Sequence, residues 1–213
     1  MAEEQYARDD LPFTRAVTFF DAVFAFALTL LITTVNDFSP SAWRSPEALW
    51  EANGSALLSF AISFVVVVRF WRASHSELST FRSLDGRLIG LHAGVLFGVV
   101  LIPFTTEAMG EPGLQDLPLP VVLYAVNVTF TYVLQHAVGI VADRNDMRER
   151  RMTPTELRTL LATAAVFPAV FLGSIPIAYL ASPSVAQWSW LSLFLLIPLV
   201  SRLAGTRARA GER

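Results

Sequence analysis

The sequence predicts an all-α polytopic membrane protein with six transmembrane helices, and three observations support this fold class. Of the 213 residues, 54% are hydrophobic and only 16% are charged, with a mean hydropathy of +0.50. Soluble domains carry about 25% charged residues, so this chain has too few to cover a solvated surface. The other two observations are a set of long apolar runs and a one-sided distribution of arginines.

Six apolar runs are long enough to cross a bilayer as helices, which takes roughly 20 residues each. The predicted spans are residues 16–35, 52–72, 88–106, 117–142, 159–181 and 185–201. Prolines occur inside these runs, at positions 103, 168, 176 and 198. Membrane helices tolerate proline because neighbouring groups satisfy the freed carbonyls. We expect residues 1–213 to form a single six-helix domain.

Local signals mark several helix boundaries. The segment TPTE at 153–156 is typical of a capping box, in which a threonine caps the helix and a glutamate three residues later bonds back. Ser45 and Ser182, each followed by proline, have the pattern of helix starts. We expect the charged segment 143–158 to be a sizeable linker that forms a helical extension on the cytosolic side.

The arginines predict the orientation, because cytoplasmic loops of membrane proteins carry an excess of basic residues. The chain has no lysine, and all but one of its arginines fall on one side of the predicted helices. They are Arg8, Arg15, Arg69, Arg72, Arg82, Arg87, Arg144, Arg148, Arg150, Arg151, Arg158, Arg202, Arg207, Arg209 and Arg213. Only Arg44 lies on the other side, together with the acidic residues Asp37, Glu47, Glu51, Glu107, Glu111 and Asp116. We therefore expect both termini in the cytoplasm and a negative outer face that would concentrate cations.

The sequence contains none of the motifs that would predict an enzyme. It has no cysteine, and its three histidines (75, 92 and 136) do not have the spacing of a metal site. Neither a phosphate-binding glycine loop nor a GxSxG nucleophile motif occurs. We expect neither catalysis nor a bound metal ion.

The first span contains an aspartate that an apolar helix would ordinarily exclude. With about 100° per residue, Leu30 lies about 40° from Phe26, and Thr33 lies about 20° from it, so the three form one stripe. Asp21 lies about 140° away, on the far side of the helix. Spacing alone leaves open whether Asp21 is a structural group or an ion site, and whether Phe26 and Leu30 pack or gate.

Four segments, in or at the end of the first four predicted helices, have patterns that match one known family. Residues 15–31 read RAVTFFDAVFAFALTLL, residues 70–75 read FWRASH, residues 91–110 read LHAGVLFGVVLIPFTTEAMG, and residues 123–134 read LYAVNVTFTYVL. The first segment is similar to a first-helix signature, Arg-x-x-x-Phe-Ser-Asp followed by an apolar helix. The other three resemble the end of the second helix, the third helix and the fourth helix of the same family, which is the transmembrane protein 175 (TMEM175) family of potassium channels.

The resemblance implies a homotetramer that conducts potassium through a central pore lined by the first helix. It also implies that the TVGYG filter of other potassium channels is not needed, and this sequence is absent here. The implied pore constriction consists of Phe26, Leu30 and Thr33, with Thr29 as an adjacent polar residue. The implied signature network, which joins the first helix to its neighbours, consists of Arg15, Phe19 and Asp21 with Trp71 and His75 as partners.

The chain departs from the family pattern at Phe20, which replaces the signature serine, and at Phe26 and Thr33 in the constriction. The expected partners are copies of the chain, bilayer lipid and permeant potassium, with no cofactor and no nucleic acid. The expected location is the plasma membrane of a bacterium. Two alternatives stay open, namely a secondary transporter with helices broken near Pro168 and Pro176, and a non-conducting scaffold or sensor.

The arginine distribution makes a prediction that cysteine labelling can check, because the chain has no cysteine of its own. We expect Ser41→Cys and Gly113→Cys to react with an impermeant thiol reagent added to intact cells. Arg209→Cys should react only after the membrane is permeabilised. Protection of the first two together with labelling of the third in intact cells would reverse the topology.

Overall fold

Six helices make up most of the chain. The structure is a computed structural model that describes residues 5–35, 38–193 and 195–200. The helices are α1 (Leu11–Leu30), α2 (Pro46–Leu78), α3 (Gly86–Gly110), α4 (Pro118–Arg144), α5 (Pro154–Leu180) and α6 (Pro183–Ser189). A 3₁₀ turn, Leu31–Thr34, extends α1, and α6 continues through a second 3₁₀ turn, Trp190–Ser192, as far as residue 200 of the described chain.

The predicted all-α fold with six spans is confirmed, since all six helices have the length and hydropathy needed to cross a membrane. The observed helices mostly run beyond the predicted spans, because polar residues at helix ends continue the hydrogen-bonded turns. The clearest case is α2, whose 33 residues extend about 50 Å at 1.5 Å per residue, well beyond a hydrocarbon core of about 30 Å.

Helices α3 and α4 form the centre of the subunit. Half of the residues in their apolar segments are buried, against 22% in α1 and 12% in α5. Buried side chains of α3 such as Val95 and Val99 pack in the same core as Tyr124 and Val128 of α4. The remaining helices lie around this pair and leave large apolar side chains exposed, as expected of surfaces that face lipid or other subunits.

The helix starts agree with their sequence signals. Thr153 accepts a hydrogen bond from the Glu156 amide at 3.2 Å, and the Glu156 carboxylate accepts one from the Thr153 amide at 2.7 Å, which completes the capping box. Ser45 accepts a hydrogen bond from the Ala48 amide at 3.1 Å, and Ser182 accepts one from the Val185 amide at 3.2 Å.

The prediction of a helical extension over 143–158 is wrong. Helix α4 ends at Arg144, and residues 145–153 form a loop before α5. Asp146 has a left-handed backbone (φ 54°), a conformation that aspartate tolerates better than most residues and that interrupts a helix. Arg151 donates a 2.5 Å hydrogen bond to Asp146, which lowers the pKa of that carboxyl group and holds the loop closed.

Three segments are joined by backbone hydrogen bonds at one end of the helices. Strand β1 (Gln5–Ala7) pairs antiparallel with β2 (Ser83–Asp85), with Tyr6 opposite Leu84. The Arg82 amide donates to the Met147 carbonyl at 2.8 Å, and the Glu149 amide donates to the Thr80 carbonyl at 2.9 Å. The N-terminal segment, the α2–α3 connection and the α4–α5 loop therefore form one layer, which we call the cytosolic layer after the orientation that the arginines predict.

This layer groups the basic residues as the sequence predicts. The described arginines other than Arg44 lie in the layer or in the helix ends that lead into it, whereas Arg44 lies in a short 3₁₀ turn at the opposite end. Arg148 forms an ion pair with Glu77 at 3.6 Å and lies over the Phe81 ring at 5.7 Å. Asp37, Arg202, Arg207, Arg209 and Arg213 lie outside the described residues.

Close packing between α3 and α4 depends on a glycine. A Cβ added at Gly98 would lie 2.0 Å from the Thr131 hydroxyl oxygen of α4. The Gly98 carbonyl also accepts a hydrogen bond from the Asn127 amide group at 3.0 Å. Small residues that let backbones approach are a common means of helix association in membranes.

We expect Gly98→Ala to lower stability by about 1–3 kcal/mol, because the added methyl overpacks the α3–α4 contact. Gly90→Ala is the matched control, since it lies on the same helix and nothing is within 4 Å of its added Cβ. That change should be neutral or slightly stabilising, because alanine favours helix over glycine by about 1 kcal/mol. The check is the apparent melting temperature in detergent. Equal melting temperatures for the two variants would contradict the close packing.

Candidate pore-lining helix and its anchoring network

Helix α1 has one face inside the subunit and one face outside it. The inner face is formed by Phe13, Phe20, Phe24, Ala27 and Leu31, all of which are buried. Phe24 is 1% exposed, as expected from its position about 160° from Phe26 on the helix. The orientation of α1 in the subunit is therefore fixed by apolar packing along a single stripe.

The residues of the predicted constriction lie on the opposite, outer face of α1. Phe26 is 70% exposed and Leu30 is 48% exposed, and Thr29 and Thr33 are exposed beside them. An isolated subunit thus leaves its predicted pore residues uncovered. Their role in a pore stays a prediction, whereas their separation from the packed face of α1 is a property of this structure.

The geometry at the outer end of α1 differs from the ideal helix assumed in the prediction. The helix tightens into a 3₁₀ turn over Leu31–Thr34, in which residues three apart eclipse one another. Thr33 therefore lies in line with Leu30 along the helix axis. The Thr33 and Thr34 hydroxyls donate to the Leu30 and Leu31 carbonyls at 2.7 and 2.8 Å, which satisfies carbonyls at this end of the helix.

The threonines on this outer face share one hydrogen-bonding arrangement. The hydroxyls of Thr18, Thr29 and Thr33 each donate to a carbonyl three or four residues earlier, at 2.7 to 2.8 Å. Because each hydroxyl proton is committed to the backbone, the oxygen lone pairs remain available as acceptors. The outer face of α1 consequently alternates large apolar groups with oxygen acceptors that can attract a cation.

Asp21 is bonded to α2 and does not face the Phe26 stripe. The Trp71 indole N–H donates a 3.0 Å hydrogen bond to the Asp21 carboxylate. The His75 ring lies against Trp71, with the two ring centroids 5.8 Å apart. These contacts join the carboxylate to the two aromatic residues that the signature network pairs with it, so within the subunit Asp21 fastens α1 to α2.

The other two signature residues do not join this network within one subunit. Phe19 is 61% exposed, and Arg15 has no ion pair or hydrogen bond among the described residues. Both line a shallow depression of about 320 Å³ on the outer face of α1, with Thr14, Thr18 and Ala22. The Phe19 ring contacts the edge of the neighbouring Phe20 ring, with centroids 6.4 Å apart, and the rest of the depression is open to a partner from outside the subunit.

Phe20, which stands where the family has serine, has a partner that sequence reasoning did not identify. Its ring stacks on the buried His92 of α3, with centroids 4.6 Å apart and planes within 2°. The substitution thus exchanges a hydroxyl for a stacked aromatic contact between α1 and α3. No periodicity in the sequence indicates which histidine faces which phenylalanine.

A polar cluster that the sequence did not predict lies buried between α2, α3 and α4. The Thr106 hydroxyl donates to Ser63 at 2.6 Å, and Ser63 donates to the Tyr124 hydroxyl at 3.1 Å. The Tyr124 ring stacks on Trp190, whose indole N–H donates to Ser174 at 2.9 Å. This cluster extends the hydrogen bonding from the inner helices to α5 and the chain beyond α6.

Sequence comparisons match part of this chain. Residues 15–103 match the model of the family described as endosomal/lysosomal potassium channel TMEM175. A potassium channel of Streptomyces collinus is 35% identical over 100 residues, which are 46% of this chain and 47% of the relative. A potassium channel of a Chryseobacterium species is 24% identical over 105 residues, 49% of this chain and 53% of the relative. The chain thus spans about half the length of these curated relatives.

Solved structures match nearly all of the fold. The crystal structure of a lysosomal potassium-selective channel TMEM175 homolog from Chamaesiphon minutus has a TM-score of 0.67 at 18% identity, covering 89% of this chain and 98% of that one. The crystal structure of a variant of the potassium channel MtTMEM175, bound to a nanobody fusion, has a TM-score of 0.60 at 17% identity. It covers 98% of this chain and 97% of that one.

The architecture therefore defines a multi-pass membrane protein with six helices. These matches agree with the resemblance found in the sequence: residues 15–103 are similar to the TMEM175 family model, and solved TMEM175 structures have the same fold over almost the whole chain.

The bond between Asp21 and Trp71 makes a testable prediction about α1. Asp21→Asn keeps an oxygen acceptor for the indole N–H, whereas Asp21→Ala removes it, at a cost of about 1 kcal/mol for a partly exposed bond. We expect thermostability and yield of the assembled protein, measured by size-exclusion chromatography after heating, to fall more for alanine than for asparagine. Trp71→Phe should behave like Asp21→Ala.

Trp43→Phe is the control for this experiment, because Trp43 is 68% exposed and lies at the other end of the molecule. It should leave the thermostability unchanged. A large change in ion selectivity in a well-assembled Asp21→Asn protein would show instead that the carboxylate lies on an ion path.

Proposed function

We propose that the protein is a potassium-permeable cation channel of a bacterial plasma membrane, built as a homotetramer with α1 around a central pore. The observation that carries the proposal is the division of α1 into a packed face and an outer face that bears Phe26 and Leu30. The names of the relatives, potassium channels in each case, support the same function. The arginine-rich cytosolic layer supports cytoplasmic termini.

In this mechanism, four copies of Phe26 and Leu30 meet near the axis and form an apolar constriction. A narrow apolar ring blocks ions by excluding water and conducts when it widens enough to hold water. Potassium sheds hydration water more easily than sodium, so a ring that strips part of the hydration shell favours potassium. The Thr29 and Thr33 oxygens on the same face would then replace part of that water. The mechanism consists of the passage of ions alone, and no cofactor is required.

The secondary transporter alternative loses its main support in the fold. Transporters of that kind bind substrate where helices are broken at mid-membrane, and Pro168 and Pro176 were the candidate break points. Helix α5 runs without interruption from Pro154 to Leu180, through both prolines. A current through the purified protein in planar bilayers that rises linearly with ion concentration would support the channel. A flux that saturates with ion concentration would support a transporter, and the absence of any flux would support a scaffold.

The constriction can be tested by the reversal potential with potassium on one side of a bilayer and sodium on the other. Leu30→Asn should raise conductance and bring the reversal potential closer to zero, because a polar ring stays wet and discriminates less. Phe26→Ala should act in the same direction by widening the ring.

Two phenylalanines serve as matched controls. Phe104→Ala removes the same ring from an equally exposed position on α3, where Phe104 is 63% exposed, and should leave the reversal potential unchanged. Phe24→Ala removes a ring from the packed face of α1 and should lower stability by about 3–5 kcal/mol without altering selectivity. An unchanged reversal potential in both constriction variants, or a shift in Phe104→Ala, would show that the pore face is misassigned.

A further inference from the structure

The proposed pore helix is connected to the cytosolic layer without a flexible linker. Strand β1 ends at Ala7 and α1 begins at Leu11, so only three residues separate them. The Asp10 carboxylate accepts a hydrogen bond from the Ala7 amide at 2.7 Å, and the Asp10 amide donates to the Ala7 carbonyl at 2.9 Å. These two bonds close the connection into a tight turn, so a displacement of β1 is transmitted to the first turn of α1.

Arg8, in this turn, contacts all parts of the cytosolic layer. Its guanidinium Nη1 donates to the Ser79 carbonyl at 2.6 Å, to the Phe81 carbonyl at 3.1 Å and to the Glu149 carboxylate at 3.2 Å. Its backbone amide donates to the Arg82 carbonyl at 2.8 Å. A single side chain thereby joins the start of α1 to the end of α2 and to the loop between α4 and α5.

The position of the inner end of α1 depends strongly on these bonds. α1 buries a smaller share of its apolar segment than α3 or α4, so packing holds it less firmly than it holds the central pair. Ser79 caps the end of α2, and the Glu149 amide bonds to the Thr80 carbonyl, so the groups that receive Arg8 are themselves fixed at the end of α2.

We infer that Arg8 is a positioning residue, which holds the inner end of α1 against the cytosolic layer and thereby limits how often the constriction widens. The inference rests on the proposed function, because it assigns Arg8 a role in the opening of that pore. A helix that is held at its inner end tilts outward less often, so release of Arg8 raises the fraction of time that the ring is wide enough to hold water.

The contact is also accessible to salt. The Arg8 and Glu149 side chains are 44% and 60% exposed, and ions at physiological strength screen such a pair. An exposed pair of this kind changes an equilibrium by only about two- to fivefold. A rise in ionic strength on the cytoplasmic side should therefore increase the open probability of the wild-type channel by a factor in that range, without any change in the pore.

The test compares Arg8→Gln with wild type by two measurements. Amide hydrogen exchange of residues 6–16 should be faster in Arg8→Gln, because the inner end of α1 is released. The open probability in planar bilayers should rise about two- to fivefold and lose its dependence on an impermeant salt added to the cytoplasmic side. The reversal potential should stay the same, because Arg8 is remote from the constriction.

Two further variants make the test specific. Glu149→Gln removes the ion pair and keeps the backbone bonds of Arg8, so it should act in the same direction with a smaller effect. Arg150 lies in the same loop as Glu149 and forms an exposed ion pair with Glu156 (2.6 Å). This pair does not include a residue of β1 or of the turn that follows it, so Arg150→Gln should change neither measurement.

Unchanged exchange and unchanged open probability in Arg8→Gln, or an equal effect in Arg150→Gln, would overturn the inference. If Arg8→Gln does not fold, Glu149→Gln decides the question by the same two measurements. A wild-type protein that carries no current would contradict the proposed function. In that case, faster amide exchange in Arg8→Gln would still establish that Arg8 holds the inner end of α1. Unchanged amide exchange would refute the positioning role of Arg8.

Discussion

Hydrocarbon supplies no hydrogen-bond partners, and most of the internal organisation of this subunit follows from that constraint. Many of its polar side chains in the membrane-spanning helices are therefore paired across helices or with their own backbone, whereas the buried hydroxyls of Ser59, Ser74 and Thr129 have no partner among the described residues. The Asn127 amide bonds to the Gly98 carbonyl, Gln135 bonds to the Phe70 carbonyl, and Trp190 bonds to Ser174. Each of these bonds crosses between two elements, so satisfying the polar groups also determines which helices are neighbours.

The same constraint divides the subunit into helices that are joined by several hydrogen bonds and a helix, α1, that is joined by few. The cross-helix bonds concentrate on α2, α3 and α4, where Ser63, Thr106 and Tyr124 share one buried cluster. Helix α1 is joined to the rest by apolar packing, by the single bond between Asp21 and Trp71, and by the Phe20–His92 stack. A helix with few directional contacts can change its tilt at modest cost, which suits the element assigned to the pore.

How much of the fold and of the candidate site could be predicted from the sequence depends on whether the interactions concerned are local or join distant parts of the chain. The spans and the two faces of α1 were predictable, because hydrophobicity and the 3.6-residue period are local properties, and the buried Phe24 opposite the exposed Phe26 agrees with them. The Phe20–His92 pair and the Ser63–Tyr124 cluster were not predictable, since periodicity does not specify which helix faces which. Strands of three residues such as β1 show no alternation long enough to detect. The loop after α4 was missed because the left-handed Asp146 has no distinctive local pattern.

The 3₁₀ turn at the outer end of α1 couples a rotation of this end of the helix to a change in its length. Between Leu30 and Thr33, a 3₁₀ geometry advances about 2.0 Å and turns 120° per residue, whereas an α-helix advances about 1.5 Å and turns 100°. A switch of these three steps from one geometry to the other rotates Thr33 by about 60° relative to Leu30 and shortens the segment by about 1.5 Å. The threonine oxygen and the leucine side chain can therefore pass from alignment to offset through a change in hydrogen-bond spacing alone, while the packed face of α1 from Phe13 to Ala27 stays in place.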